Sequence, residues 1–175
     1  MTYFAFLKGV NVGGNNIINM AELKAMFESS GFKNVRTFIQ SGNVAFESEA
    51  NSEAIKKKIE SSIKKTFGFD ICVVVRTKPE MEKIIKEYPF SKVKGHLEFK
   101  VNVAFLDNTP GKPESNELEA LNSDIEMFHV KGNNVYQICR ISTVDSLMGK
   151  NFIEKKLKLK ATVRNWNTVN KILTI

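Results

Sequence analysis

The sequence predicts an α+β protein built from two tandem ferredoxin-like (α/β plait) subdomains with extra linking and C-terminal helices. Three observations predict it. The spacing of apolar residues switches repeatedly between a period of two and a period of about 3.6. The order strand–helix–strand–strand–helix–strand is complete by Arg76, which is the plait pattern. That order recurs in the second half with added helices. The expected division is a first lobe over residues 1–76, a linking helix and junction over 77–95, and a second lobe with a C-terminal helix over 96–175.

In the first lobe, Tyr3–Leu7 form a short, aromatic-rich run, the signature of a buried strand. A polar loop follows. Asn19 and Glu22 have capping-box spacing, so a helix starts near Met20, carries Leu23, Met26 and Phe27 inward, and stops at Gly31. Val35–Gln40 and Asn43–Phe46 flank Ser41-Gly42 as a hairpin. From about Ser52, Ile55, Ile59, Ile63 and Phe67 recur every four residues, with most of the lysines off that stripe, and Gly68 ends this second helix. Ile71–Val75 close the lobe as another buried strand.

Thr77 and Glu80 repeat the capping-box spacing at the head of the linking helix, and Pro89–Gly95 is the junction. Leu97, Phe99, Val101, Val103 and Phe105 alternate with Glu98, Lys100 and Asn102, which predicts a strand with the second set facing water. Leu118 and Leu121 mark a short helix. Glu126–Val130 and Val135–Ile141 pair around Gly132-Asn133, a helical region runs past Leu157, Lys160–Val163 form a last strand, and Val169, Ile172 and Leu173 lie on a closing helix. No residue-level repeat between the halves is visible.

Composition narrows function. Apolar residues at 42% and charged residues at 26% are globular values and exclude general disorder. The net charge of +7 invites a nucleic-acid partner, but 22 of the 26 basic residues are lysines, and base and phosphate readout favours the arginine fork. Nucleic acid is therefore a possible partner and not the favoured one. Cys72 and Cys139 sit in apolar runs and read as small hydrophobes in a reducing, cytoplasmic setting. Thr2 leads straight into the first strand, so no signal peptide is expected, and no apolar run is long enough to make the membrane a partner.

In a plait with sheet order 4-1-3-2, the end of the first strand, the hairpin and the start of the fourth strand meet at one rim. That brings Lys8, Asn11, Gln40, Ser41 and Asn43 together beside a helix N-terminus, a place for a small polar or anionic ligand. The competing reading is that Asn, Gly and Ser serve only as turn formers. Arg164, Asn165 and Asn167 near the C-terminus are candidates to complete the site. Alternatively, Asn167 or Thr168 caps the closing helix while Trp166 packs between the lobes.

Other chemistry finds little support. Gly9 and Gly14 have P-loop glycine spacing, but Asn15 and Asn16 stand where Lys and Ser/Thr are required. His96 and His129 have no Cys or Glu at metal spacing, so no metal is expected. No cofactor motif appears, and no nucleophile–base pair marks an enzyme.

Four motifs in order, F-L-K-G-V-N-V-G-G-N-N, M-A-E-L-K, F-I-Q-S-G-N-V-A-F and A-T-V-R-N-W-N-T-V, resemble the domain of unknown function 1697 family. The resemblance implies a bacterial-type protein of two α/β-plait subdomains and carries over no activity and no catalytic residue. Lys8 stands where that family more often has Arg, which keeps the charge and loses bidentate geometry. The readings left open are a binding module for a small anionic ligand, an RNA- or single-strand-binding protein, and a ligand-free interaction scaffold.

Overall fold

A computed structural model describes residues 1–175, except for the side chains of Leu97 and Lys150. Among the described residues the fold is mixed α+β, with two four-stranded antiparallel sheets and six helices. Packing divides the chain into Met1–Lys83 with Lys171–Ile175, and Ile84–Asn170.

The first unit contains β1 (Thr2–Leu7), α1 (Met20–Ser29), β2 (Lys33–Phe38), β3 (Asn43–Glu47), α2 (Ser52–Phe67) and β4 (Val73–Thr77), with sheet order β2-β3-β1-β4. The pleat sends Tyr3, Ala5 and Leu7 to the face that packs with Leu23 and Phe27 of α1 and Ile55, Ile59 and Ile63 of α2. Each of those isoleucines contributes roughly 1.5–3 kcal/mol of apolar burial. α2 forms where the four-residue stripe predicts it. The Asn51 side chain caps its start by accepting from the Ala54 N–H at 2.9 Å, and Gly68 ends it at a φ of 84°. Phe4 and Phe6 on the opposite face are also buried.

β4 begins two residues later than the Ile71 start read from sequence: the paired register ends at Leu7–Val73, and beyond it one backbone bond runs from the Lys8 N–H to Cys72 O. Thr77 and Glu80 form the expected capping box on α3 (Lys78–Lys86). The Glu80 carboxylate accepts from the Thr77 N–H at 2.7 Å, and the Thr77 hydroxyl accepts from the Glu80 N–H at 3.3 Å.

The second unit contains β5 (Lys100–Leu106), α4 (Lys112–Glu119), β6 (Glu126–Lys131), β7 (Asn134–Cys139), α5 (Phe152–Leu157), β8 (Ala161–Asn165) and most of α6 (Trp166–Lys171), with sheet order β6-β7-β5-β8. Its core joins Ala104, Leu106 and Val135 with Leu118 of α4 and Ile153 and Leu157 of α5. The strand expected from Leu97 starts at Lys100 instead. His96–Glu98 are a 3-10 turn, and the Leu97 side chain lies outside the described residues. Asn102 does not face water. It is 2% exposed, on the same strand face as the core residues Ala104 and Leu106.

Matched registers uncover a repeat that the bare sequence hides. Ala5 pairs with Val44 on one side and Val75 on the other; Ala104 pairs with Val135 and Val163. Phe6 opposes Asn43 as Phe105 opposes Asn134. Arg76 and Arg164 then hold equivalent positions on β4 and β8, and each donates from Nη1 to the preceding residue's carbonyl, at 3.0 and 2.8 Å. The Leu7 N–H donates to Gly42 O and the Leu106 N–H to Asn133 O, both at 2.9 Å. The two units share a ladder and sparse side chains on it.

Candidate functional site

At the first-unit rim, the segments named from sequence meet. The Leu7 N–H donates to Gly42 O, and the Lys8 N–H to Cys72 O at 3.0 Å, joining the ends of β1, the hairpin and the approach to β4. Asn11, with a left-handed φ of 55°, donates from Nδ2 to Ile18 O and Gln40 O, both at 2.9 Å. Its Oδ1 accepts from the Ile18 N–H at 2.8 Å. Asn43 donates to Ser41 Oγ at 2.8 Å and to Phe38 O at 3.2 Å. Asn19 caps α1, accepting from the Ala21 N–H. These bonds close the turns upon themselves, the job of turn-forming amides. A hollow of about 520 Å³ lies beside Asn11, Ile17, Asn19 and Gln40.

The C-terminal candidates belong to the second unit. Arg164 is buried, donates from Nη1 to Thr162 Oγ1 at 2.8 Å, and has its pKa pushed down to about 10 by that burial. Asn165, rather than Asn167 or Thr168, caps α6, its Oδ1 accepting from the Thr168 N–H at 2.8 Å. The Trp166 ring lies on Tyr88, with centroids 4.9 Å apart.

Asn165, Trp166 and Asn167 open onto a groove of about 680 Å³ that is assembled within the second unit. Tyr88, His96, Phe99 and Trp166 give it aromatic walls. Lys100, Asn102 and Thr143 supply a cation, an amide and a hydroxyl. The Arg140 guanidinium stacks over Phe99 at 4.1 Å and pairs with Glu98 at 3.5 Å. Burial raises the pKa of Tyr88.

Beneath the groove runs a chain of buried polar side chains. Asn102 Nδ2 donates to Gln137 Oε1 at 2.9 Å and lies 3.2 Å from Thr143 Oγ1. Gln137 Nε2 donates to Glu126 Oε2 at 2.9 Å, and the Leu147 N–H reaches the same carboxylate at 3.3 Å. Cys139, buried beside this chain, has its thiol pKa raised by burial and by Glu126. At the equivalent register the first unit has Tyr3 opposite Phe46, stacked with centroids 6.0 Å apart.

Sequence reasoning missed Tyr88, His96, Phe99, Lys100, Asn102 and Thr143 as groove residues. The one available signal was an amide-bearing residue set between valines in a strand. His129 lies elsewhere in the second unit, its Nδ1 3.1 Å from Glu119 Oε1. Among the described residues no three His, Cys, Asp or Glu side chains converge as a metal site, and no helix is long and apolar enough to cross a membrane.

The family model described as Protein of unknown function (DUF1697) matches residues 1–136. The chain belongs to that family. No curated protein matches it. Among the solved structures, a conserved bacterial protein from Streptococcus pneumoniae is similar to this DUF1697 member with a TM-score of 0.77 and 20% identity, over 99% of this chain and 97% of that one. That likeness shows the fold. The DUF1697 match includes Tyr88, Phe99 and Asn102 and ends before Thr143, Asn165 and Trp166.

Proposed function

We propose that each unit is a ferredoxin-like plait and that the protein is a binding module for a small, planar ligand carrying an anionic group, held in the second unit's groove. One observation carries this reading. A buried Asn102–Gln137 amide pair occupies the ladder position that the sister unit fills with stacked aromatics, and it sits under an aromatic-walled groove. Burying amides contributes little net stability and costs about 1–3 kcal/mol wherever a partner is missing. A polar pair in place of a packed one fits a surface meant to meet a ligand. The aromatic walls suit a flat ring, and Lys100 suits its anionic substituent.

The rim suggested a small polar or anionic ligand; the groove keeps the anionic group and adds a flat ring. The groove is the better location because the rim amides hold their own turns. RNA binding by the sheet face has less support, since Phe4 and Phe6 are buried and offer no stacking platform. The thiols Cys72 and Cys139, which form no disulfide with each other, support a reducing, cytoplasmic compartment, and the solved neighbour supports a bacterial origin.

Trp166 is the single tryptophan, so its fluorescence reports on the groove directly. Titration with nicotinate, benzoate and the nucleoside 5′-monophosphates, excited at the red edge of the indole band, should change the emission saturably for at least one of them. Lys100→Ala should weaken that binding several-fold, most at low salt. An unresponsive Trp166 across the panel at millimolar concentration contradicts the reading. A response seen only with a single-stranded oligonucleotide transfers the site to nucleic acid.

A further inference from the structure

The buried chain under the groove has a direction, and the direction is set at one end. An amide side chain can turn either way, and its neighbours decide which end donates. Glu126 is buried, with its carboxylate accepting from the Leu147 N–H and from Gln137 Nε2. A carboxylate acceptor obliges Gln137 to turn its amino group inward, so Gln137 presents its carbonyl oxygen to Asn102. Asn102 must then turn its own amino group toward Gln137, where the bond measures 2.9 Å. The second proton on Nδ2 points to Thr143 Oγ1 at 3.2 Å. Both Asn102 donors are spent inside the protein. What Asn102 retains for a ligand is its carbonyl oxygen, which among the described residues accepts from the Thr143 hydroxyl at 3.4 Å, a long bond.

We infer that Glu126, through Gln137, fixes the groove floor at Asn102 as a hydrogen-bond acceptor, so that the bound ring is one presenting an N–H edge. This rests on the ring-anion reading of the groove and names the ligand class within it: a planar N–H heterocycle with a carboxylate or phosphate substituent. Glu126 acts as a positioning residue. It lies behind Gln137 and touches no ligand, yet it selects which edge of a ring the floor accepts. A ring with a bare acceptor at that edge meets oxygen with oxygen and leaves its own acceptor desolvated without a donor, a penalty that discriminates more strongly than a missing contact.

The test uses the intact protein and two isosteric probes, indole-3-carboxylate and benzofuran-3-carboxylate. They differ by a ring N–H in one and a ring oxygen in the other. Binding is followed by ¹H–¹⁵N shifts of the Trp166 indole and of the Asn102 and Gln137 side-chain amides. The expected result is a preference for the indole of about tenfold, the usual discrimination from one hydrogen bond matched against one opposed. In Glu126→Gln the new amide can donate to Gln137 Oε1, both amides can turn over, and the preference should fall to about threefold or less. The wild-type Asn102 and Gln137 amide protons should exchange slowly and lose that protection in the variant. Equal binding of the two probes by the wild type overturns the inference and leaves the ring-anion groove standing. A preference unchanged in a folded Glu126→Gln protein also overturns it. Failure of both probes to bind, with the side-chain amides protected, removes the ring-anion reading and the ligand class together. If Glu126→Gln does not fold, the wild-type ratio alone decides.

Discussion

The first sheet stacks Tyr3 on Phe46 where the second pairs Asn102 with Gln137. Ladder, register and the valines opposite Ala5 and Ala104 are the same, so the backbone does not dictate the difference. Aromatics at that position extend the core: Phe46 also lies 4.6 Å from Phe32 and 5.4 Å from Phe27. Amides there add no packing of that kind, and they need a third polar residue, Glu126, to satisfy them. One copy of the ladder closes its sheet end with rings, while the other keeps its end hydrogen-bonded and open to a groove.

The contrast can be broken first at two glycines. A Cβ on Gly149 would lie 2.0 Å from the Thr143 carbonyl oxygen, and one on Gly42 would lie 2.8 Å from Leu7 Cβ at a φ of 67°. Gly149→Ala should cost about 3 kcal/mol. It should also weaken groove binding, because the chain at Thr143 has to move. Gly42→Ala should cost about 2 kcal/mol in overpacking and backbone strain and leave groove binding intact. Denaturant melts and Trp166 titrations on both variants read this, and equal loss of binding in the two would erase the distinction between the units.

Asn102→Leu sharpens the comparison at its centre. It leaves Gln137 Oε1 without its donor in a buried site and should cost about 2 kcal/mol. Replacing Asn102, Gln137 and Glu126 together with leucine should cost less than the sum of the three single changes, since each single change strands a partner that the triple removes. Additive losses would mean that the three side chains do not act as one chain.

A smaller effect lies at Tyr136, whose hydroxyl donates to Ile84 O at 2.9 Å. Burial and then the Glu87 charge raise its pKa above the ordinary value of 10.0. The folded protein therefore keeps this proton at a pH where the unfolded chain releases it. Its contribution to stability is complete below pH 10 and declines above. Tyr136→Phe should cost about 1 kcal/mol at neutral pH. The gap between variant and wild type should narrow as pH rises past 10 in urea melts. Arg164 pulls the other way, its folded pKa being depressed to about 10, but it is common to both proteins and cancels in the difference.

Much of the fold was readable in the sequence, and little of the groove was. α2 announces itself through Ile55, Ile59 and Ile63 between a capping Asn51 and Gly68, all local signals. Strand order alone brings the end of β1, the hairpin and the approach to β4 together. The groove escaped for two reasons. Lys100 and Asn102 fit a simple alternation and so read as a wet face, although Asn102 is buried on the face that carries the core residues Ala104 and Leu106. Tyr88, Thr143 and Trp166 are far apart in sequence, and only tertiary packing brings them together. The repeat stayed hidden because its matching residues are few and connectors of unequal length separate them, so they align only after the strands are paired.

Amide chemical-shift mapping with indole-3-carboxylate compares the two regions in one experiment. The account predicts saturable shifts clustered at Tyr88, Phe99–Asn102, Thr143 and Asn165–Asn167, with Asn11, Ile18, Gln40 and Asn43 unmoved. Shifts confined to the first-unit rim, or none in either place at saturating probe, would contradict it.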